Sequence, residues 1–132
     1  MKKIMIVDDD PDVRISIKHA LEYYCSDYDV LCVESGNMCY EMLRNNEIPD
    51  IILLDIIMPG MNGWMLADRL KENSSWKNIP IIFLTACTDK LAEEIGRKLC
   101  MDYIKKPFDI YDLKKKIDKI LKKSSSDVQY TS

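Results

Sequence analysis

Four apolar runs in this sequence end on residues able to do polar chemistry. The run 2–7 stops at Asp8-Asp9-Asp10, 51–54 stops at Asp55, 81–84 stops at Thr85, and 101–104 leads into Lys105-Lys106-Pro107. If folding gathers these ends, three carboxylates meet one ammonium and one hydroxyl. Two like charges about 4 Å apart repel by about 4 kcal/mol at the dielectric of a protein surface, so such a cluster calls for a cation. Oxygen-only donors in a wet, open site suit a hard dication, Mg²⁺ or Mn²⁺. Magnesium shares its shell readily with phosphate oxygens, which points to phosphoryl chemistry. Asp55, alone at the end of its run, is the candidate nucleophile toward phosphorus, giving an acyl phosphate. Lys106 is the ammonium that neutralises the transferred group, and Thr85 the hydroxyl that donates to one of its oxygens. Singly, each has a plainer role: an Asp after a strand is often a turn former or helix cap, Thr85 could simply finish a strand, and Lys106 could be one more solvated lysine. The weight lies in the combination. Asp10 and Asp12 read as a cap and a helix-dipole partner.

The elements that position these groups follow from the apolar pattern. A buried strand over 2–7 precedes Asp10 and Pro11, which suit an N-cap and a first helical position. Val13, Ile17, Ala20, Leu21 and Tyr24 then recur at helical spacing over about 11–25. A second strand covers 28–33. Ser35-Gly36 opens a second helix carrying Met38, Met42 and Leu43, which ends near Asn45-Asn46. The run 50–55 is apolar at consecutive positions, as a central parallel strand buried on both faces should be. A punctuated loop over 58–63 leads to a third helix at 64–72, with Leu66, Ala67 and Leu70 inward. A fourth strand covers 80–85. A weaker fourth helix over 88–99 presents Leu91, Ile95 and Leu99, and a short fifth strand covers 101–104. Asp109, helped by Asp112, caps a last helix striped by Ile110, Leu113, Ile117, Ile120 and Leu121.

This alternation predicts an α/β fold, a doubly wound five-stranded parallel sheet with five helices on its two faces. Ligands in such sheets sit beyond the carboxyl ends of the strands, where the chemistry-bearing residues fall. Residues 1–123 read as the domain, and 124–132, polar and aperiodic, as a flexible tail or linker stub.

Composition narrows the function further. The chain has 132 residues, one domain's worth. With 19 basic and 22 acidic side chains its net charge is −3, without the basic footprint of a nucleic-acid binder. Its apolar runs fall far short of the ~20 residues that span a bilayer, and the start imitates a signal peptide only until three aspartates stop it. Five cysteines, Cys25, Cys32, Cys39, Cys87 and Cys100, are odd in number and form no C-x-x-C pair. They read as buried free thiols in a reducing cytoplasm. The single histidine, His19, lies off the apolar stripe of its helix. Lys114, Lys115, Lys116, Lys119, Lys122 and Lys123 read as a solvated face of the last helix. Trp64 and Trp76 flank the third helix as fluorescence reporters.

The quoted segments, Val7-Asp8-Asp9-Asp10-Pro11, Leu54-Asp55-Ile56-Ile57-Met58-Pro59-Gly60-Met61-Asn62-Gly63, Phe83-Leu84-Thr85-Ala86 and Tyr103-Ile104-Lys105-Lys106-Pro107-Phe108, resemble the CheY-like receiver domain of two-component response regulators. The resemblance runs in order over about 1–123. It implies a flavodoxin-like sheet of strand order 2-1-3-4-5. It implies that Asp55 accepts a phosphoryl group from a phosphohistidine on a sensor histidine kinase or histidine phosphotransfer protein. Mg²⁺ (or Mn²⁺) would be held by Asp9 directly, by Asp8 largely through water, by Asp55 and by the backbone carbonyl of Ile57. Thr85 and Lys106 would contact the phosphoryl oxygens, and Ala86 would leave the approach open. Tyr103 would turn inward when Thr85 is drawn to the phosphoryl group, switching the surface of the fourth helix, fifth strand and last helix. A cis bond at Lys106-Pro107 is expected.

A cytoplasmic signalling domain is implied, catalysing no more than its own phosphorylation and dephosphorylation. It would act on an unidentified downstream protein, with no membrane segment and no DNA-binding domain in this chain, and with a phosphorylation-dependent homodimer left open. Two features depart from the family's pattern. Leu99-Cys100-Met101 replaces the usual Gly-Ala before the fifth strand, removing a left-handed helix cap. Ile57 is apolar where many relatives are polar, which predicts hindered attack by water and a long-lived phosphoryl group.

Other classes fit less well. A haloacid-dehalogenase-type phosphatase uses a second acid two positions after its nucleophile, and Ile57 stands there. A mononucleotide binder needs a phosphate-cradling loop after the first strand, where three aspartates would repel it. A P-loop is absent. A receiver-like interaction module without phosphorylation would lack an acid or the lysine, and this sequence has them all.

Overall fold

The computed structural model describes residues 2–85, 102–106 and 108–130. Five parallel strands, β1 (Lys2–Val7), β2 (Tyr28–Val33), β3 (Ile51–Asp55), β4 (Ile81–Thr85) and β5 (Asp102–Lys105), form one sheet in the order β2-β1-β3-β4-β5. The described helices are α1 (Pro11–Tyr24), α2 (Gly36–Arg44), α3 (Gly63–Glu72) and α4 (Ile110–Tyr130). Met5 pairs with Leu31 on one side and Ile52 on the other, and Leu54 pairs with Phe83.

Alternation along the buried strands divides the core in two. Met5, Val7, Val33, Ile52, Leu54 and Phe83 face one side, where Cys39 and Leu43 of α2 and Leu66, Ala67 and Leu70 of α3 close over them. Ile4, Ile6, Val30, Leu53, Ile82 and Leu84 face the other, beneath Ile17 and Leu21 of α1 and Leu113 and Ile117 of α4. Each fully buried aliphatic side chain contributes about 1.5–3 kcal/mol. The central strand β3 is buried along its whole length, which is why its sequence shows no polar alternation.

Local chemistry starts and stops the helices. Asp10 caps α1 by accepting from the Asp12 amide at 2.9 Å, with Pro11 at the first helical position. Ser35 caps α2 and Asn62 caps α3. The Asp109 carboxylate accepts from the Tyr111 amide at 2.8 Å, as a cap should. α2 ends in a Schellman motif: Asn46 sits at φ 70° while Glu47 N–H donates to the Met42 carbonyl at 2.9 Å.

The predicted helix over 88–99 lies outside the described residues, as do Ala86, Cys87, the Leu99-Cys100-Met101 turn and the Lys106-Pro107 bond. Of five expected helices, four therefore appear among the described residues. α4 continues to Tyr130, past the point at 124 where polarity suggested a flexible tail. Residues 110–130 contain no proline or glycine to stop it, and its buried stripe includes Leu113, Ile117 and Leu121. Among the described residues Cys25, Cys32 and Cys39 are free thiols; Cys39 is buried, whereas Cys25 and Cys32 are half-exposed.

Candidate functional site

The carboxyl ends of β1 and β3 lie side by side because Val7 pairs with Leu54. Asp8 and Asp55 are the next residues along each strand, so both carboxylates arrive at the same edge. Asp8 is fully buried and Asp55 nearly so, while Asp9 is exposed. One oxygen from each of the three lies within 4.8 Å of the others.

Asp8 is held from several directions. Its amide donates to the Val33 carbonyl at 3.1 Å. One carboxylate oxygen accepts from the Asp10 amide at 2.9 Å, the other from Lys106 Nζ at 2.9 Å, and its carbonyl accepts from the Arg14 guanidinium at 2.6 Å. Asp55 Oδ1 accepts from the Ile57 amide at 3.3 Å and lies 3.7 Å from Lys106 Nζ. Lys106 therefore bridges the two buried acids and sits closer to Asp8, although the sequence pairs it functionally with Asp55.

The Asp55 carboxyl is pushed up to about 6, first by burial and then by the Asp8 charge. Lys106 and the Ile57 amide pull the other way, and Asp9 adds a further push upward. Among the described residues one ammonium thus contacts a cluster of three carboxylates, an imbalance that a dication would correct. The donors are all oxygen, two of the three carboxylates are already convergent on buried strand ends, and the third opens to solvent. That set fits Mg²⁺ or Mn²⁺. Among the described residues it is the one group of acids, thiols or imidazoles close enough to hold a metal.

Thr85 closes β4 in register with Lys105; the placement of its side chain lies outside what the structure describes. Tyr103 pairs with Phe83 and packs, partly buried, against the core on the α2–α3 side. The Ile57 side chain is 60% exposed at the mouth of the loop. An open, mainly apolar groove runs from Lys106 between α1 and the start of α4, lined by Val13, Ile17, Ala20, Phe108 and Ile110.

Two further residues shape the site without a role readable from the strand-end pattern. A Cβ on Gly63 would come within 2.4 Å of the Asp55 carbonyl oxygen and 2.9 Å of the Ile56 Cα, while the Gly63 amide donates to the Ile56 carbonyl at 2.9 Å. Only glycine lets α3 begin this close to the end of β3. Arg14 lies one turn into α1, and its only sequence signal is a cation placed shortly after an acidic run.

The model of the response regulator receiver domain matches residues 4–118. Protein PilH of Pseudomonas aeruginosa is 33% identical over 122 residues, covering 92% of this chain and 98% of that protein. A probable cyclic di-GMP phosphodiesterase of Vibrio cholerae is 36% identical over 127 residues, covering 95% of this chain but 28% of the relative. Several curated relatives are thus much longer than the part this chain spans. The crystal structure of the receiver domain of a Syntrophus aciditrophicus signal transduction histidine kinase superposes with a TM-score of 0.82 at 29% identity, covering 92% of this chain and 91% of that one.

Proposed function

The chain belongs to the response regulator receiver domain family, and on that premise we propose that Asp55 is its phospho-acceptor. The phosphoryl donor is a phosphohistidine on a sensor histidine kinase or a histidine phosphotransfer protein. The observation that carries this reading is the buried Asp55 carboxylate, clustered with Asp8 and Asp9 within 4.8 Å and with Lys106 Nζ 3.7 Å away.

An Asp55 carboxylate oxygen forms the new bond to phosphorus as the P–N bond breaks, and the donor imidazole leaves with the bonding electrons. Asp55 must be ionised to attack; burial and the Asp8 charge oppose that ionisation, and a bound dication would favour it. Lys106, already between Asp8 and Asp55, holds its ammonium where negative charge arrives with the phosphoryl group. Thr85, at the end of the neighbouring strand, donates its hydroxyl to a phosphoryl oxygen. Asp8, Asp9, Asp55 and the Ile57 carbonyl hold Mg²⁺ (or Mn²⁺), which when bound supplies positive charge to the acids and the phosphoryl oxygens. The groove beside Lys106 gives a donor protein an apolar surface next to that ammonium.

The output follows from attachment at a strand end. Drawing Thr85 toward the phosphoryl group frees space that Tyr103 fills, which biases the surface of 88–99, β5 and α4 toward a downstream protein. Residues 1–123 suffice for this unit, and the cell compartment is the cytoplasm. Among the described residues no helix is long and apolar enough to cross a membrane.

Incubation with acetyl phosphate and Mg²⁺ tests the assignment. One added phosphoryl mass is expected on the unaltered chain and none on Asp55→Asn. Modification that persists in Asp55→Asn, or continuous turnover of phosphate esters, overturns it. Ile57, exposed beside the acceptor, hinders water, so Ile57→Asn is expected to shorten the phosphoryl lifetime several-fold, by about 1 kcal/mol of barrier, in a decay assay.

A further inference from the structure

Asp9 is the least supported member of the acid cluster. Its carboxylate is exposed and makes no hydrogen bond among the described residues. The direction in which its side chain leaves the chain is set by its backbone, and above all by the Asp8–Asp9 peptide that precedes it. A peptide unit is planar, so fixing its carbonyl oxygen fixes the rotation of the whole plane. That oxygen is the Asp8 carbonyl, the atom on which the Arg14 guanidinium closes at 2.6 Å.

We propose that Arg14 is a positioning residue for the divalent cation: by clamping the Asp8 carbonyl from α1 it presets the turn that aims Asp8 and Asp9 at Asp55. The proposal rests on the assignment of these acids as metal holders made above.

The other restraints on the turn cannot do this alone. The Asp8 amide bond to Val33 fixes the preceding peptide, and the Asp10 amide bond acts on the Asp8 side chain. Lys106 also holds the side chain, and its ammonium competes with any incoming cation for the same oxygen. Arg14 alone among the described residues holds the peptide between the two acids. It is itself well anchored: its amide donates to Asp10 at 3.1 Å and its carbonyl accepts from Cys32 Sγ at 3.6 Å, so the helix carries the clamp rigidly. A charged donor on a carbonyl is among the stronger hydrogen bonds.

The sign of the effect separates positioning from plain electrostatics. Arg14 is a cation close to a cation site. As a point charge it repels the metal, and its removal would tighten binding. As a clamp it preorganises the acids, and its removal weakens binding.

The test is a calorimetric Mg²⁺ titration of the full chain and of Arg14→Ala, Arg14→Lys and Ile17→Val, with thermal unfolding in chelator recorded for each. Ile17→Val thins the packing of the same helix and leaves the clamp intact. Arg14→Ala is expected to weaken Mg²⁺ binding about tenfold, as loss of an outer-shell partner does, with most of that restored in Arg14→Lys and no change in Ile17→Val. Binding by Arg14→Ala as tight as in the parent or tighter overturns the proposal, as does an equal loss in Ile17→Val. Should Arg14→Ala not fold, Arg14→Gln, which cannot span the same distance, is read by the same criteria. If the parent itself binds no Mg²⁺, the acid-cluster assignment falls and the clamp with it; if the parent binds and Arg14→Ala binds equally, only the clamp falls.

Discussion

Two groups of acids and lysines sit at opposite ends of the sheet, and they differ in how their charges balance. At the amino end, where β2 begins, Asp118 of α4 accepts from the Tyr28 hydroxyl on one oxygen and from Lys114 Nζ at 2.7 Å on the other. The carboxylate pairs with Lys114, feels the Lys122 charge as well, and stays 38% exposed. At the carboxyl end, Lys106 is the ammonium that pairs with the cluster of Asp8, Asp9 and Asp55 among the contacts of the described residues, with the Arg14 guanidinium held on the Asp8 carbonyl. Burial raises the Asp118 and Asp55 carboxyls alike, so a raised carboxyl does not by itself mark a working site. The difference is the charge balance: at the amino end Asp118 is matched by lysine and ties α4 to β2, whereas at the carboxyl end three carboxylates outnumber the cations described beside them, which favours a bound cation.

Removing the shared lysine gives the largest expected break in that contrast. Lys106→Met deletes the ammonium that bridges Asp8 and Asp55. Phosphoryl transfer from acetyl phosphate should fall by 10²–10³, about 3–4 kcal/mol, as for loss of a donor aimed at developing charge. Mg²⁺ should bind more tightly, because Asp8 loses its competing cation. Unchanged transfer kinetics, or weaker Mg²⁺ binding, would mean that Lys106 is a structural partner like Lys114.

The next effect concerns the frame beneath the acids. Gly63→Ala forces a methyl group against the Asp55 carbonyl and the Ile56 Cα, both backbone, so α3 must move away from β3. A loss of about 3 kcal/mol in denaturant unfolding is expected. Gly36→Ala is the internal control: its nearest neighbour is the flexible Met61 thioether, at 3.1 Å, and about 1 kcal/mol or less is expected there. Equal effects at the two glycines would remove the special status of the β3–α3 junction.

These two regions also show where the sequence is legible. Consecutive apolar residues in 51–54 betray a strand buried on both faces, and a polar residue at the end of each of several such strands betrays a site, because a parallel sheet delivers its strand ends to one edge. Asp8, Asp9, Asp55 and Lys106 were readable for that reason. That Lys106 rests nearer Asp8 than Asp55 was not, since the difference between 2.9 and 3.7 Å depends on the path of the β5–α4 connection and not on residue type. The Arg14 clamp was hidden because a side chain reaching back to a carbonyl leaves no periodic trace. The Tyr28–Asp118 contact joins residues 90 apart in the chain, and neither residue stands out on its own face. The extension of α4 to Tyr130 is hard to see in the sequence because the apolar stripe that marks a helix stops near Leu121 while the polar residues that follow include no helix breaker.

A smaller, pH-dependent effect follows from the raised Asp55 carboxyl. Its folded midpoint, about 6, lies above the ordinary 3.8, so the folded chain holds a proton that the unfolded chain has lost between those values. The stability this contributes is full below about pH 3.8 and is lost as pH rises through about 6. Asp55→Asn escapes the loss. In chelator at pH 8 it should be more stable than the parent by about 2 kcal/mol, an advantage that shrinks toward pH 4. Added Mg²⁺ should stabilise the parent more than the variant. An advantage that is independent of pH would show that packing, not buried charge, is responsible.

The smallest effect is expected at the balanced cluster. Asp118→Asn removes a charge that Lys114 already matches and that solvent partly screens, while its amide oxygen can still accept from Tyr28. A cost of about 0.5 kcal/mol is expected, with Mg²⁺ affinity and phosphoryl transfer unchanged. A comparable loss of metal binding would mean that α4 transmits strain from one end of the sheet to the other, and the two clusters would then be one coupled system. Because Asp118 bonds to Tyr28 at the start of β2 and Asp8 bonds to Val33 at its end, β2 is the element that would carry such coupling. Combining Asp118→Asn with Arg14→Ala reads it directly: independent clusters give additive changes in Mg²⁺ binding, and a deviation beyond about 0.5 kcal/mol marks coupling through the strand.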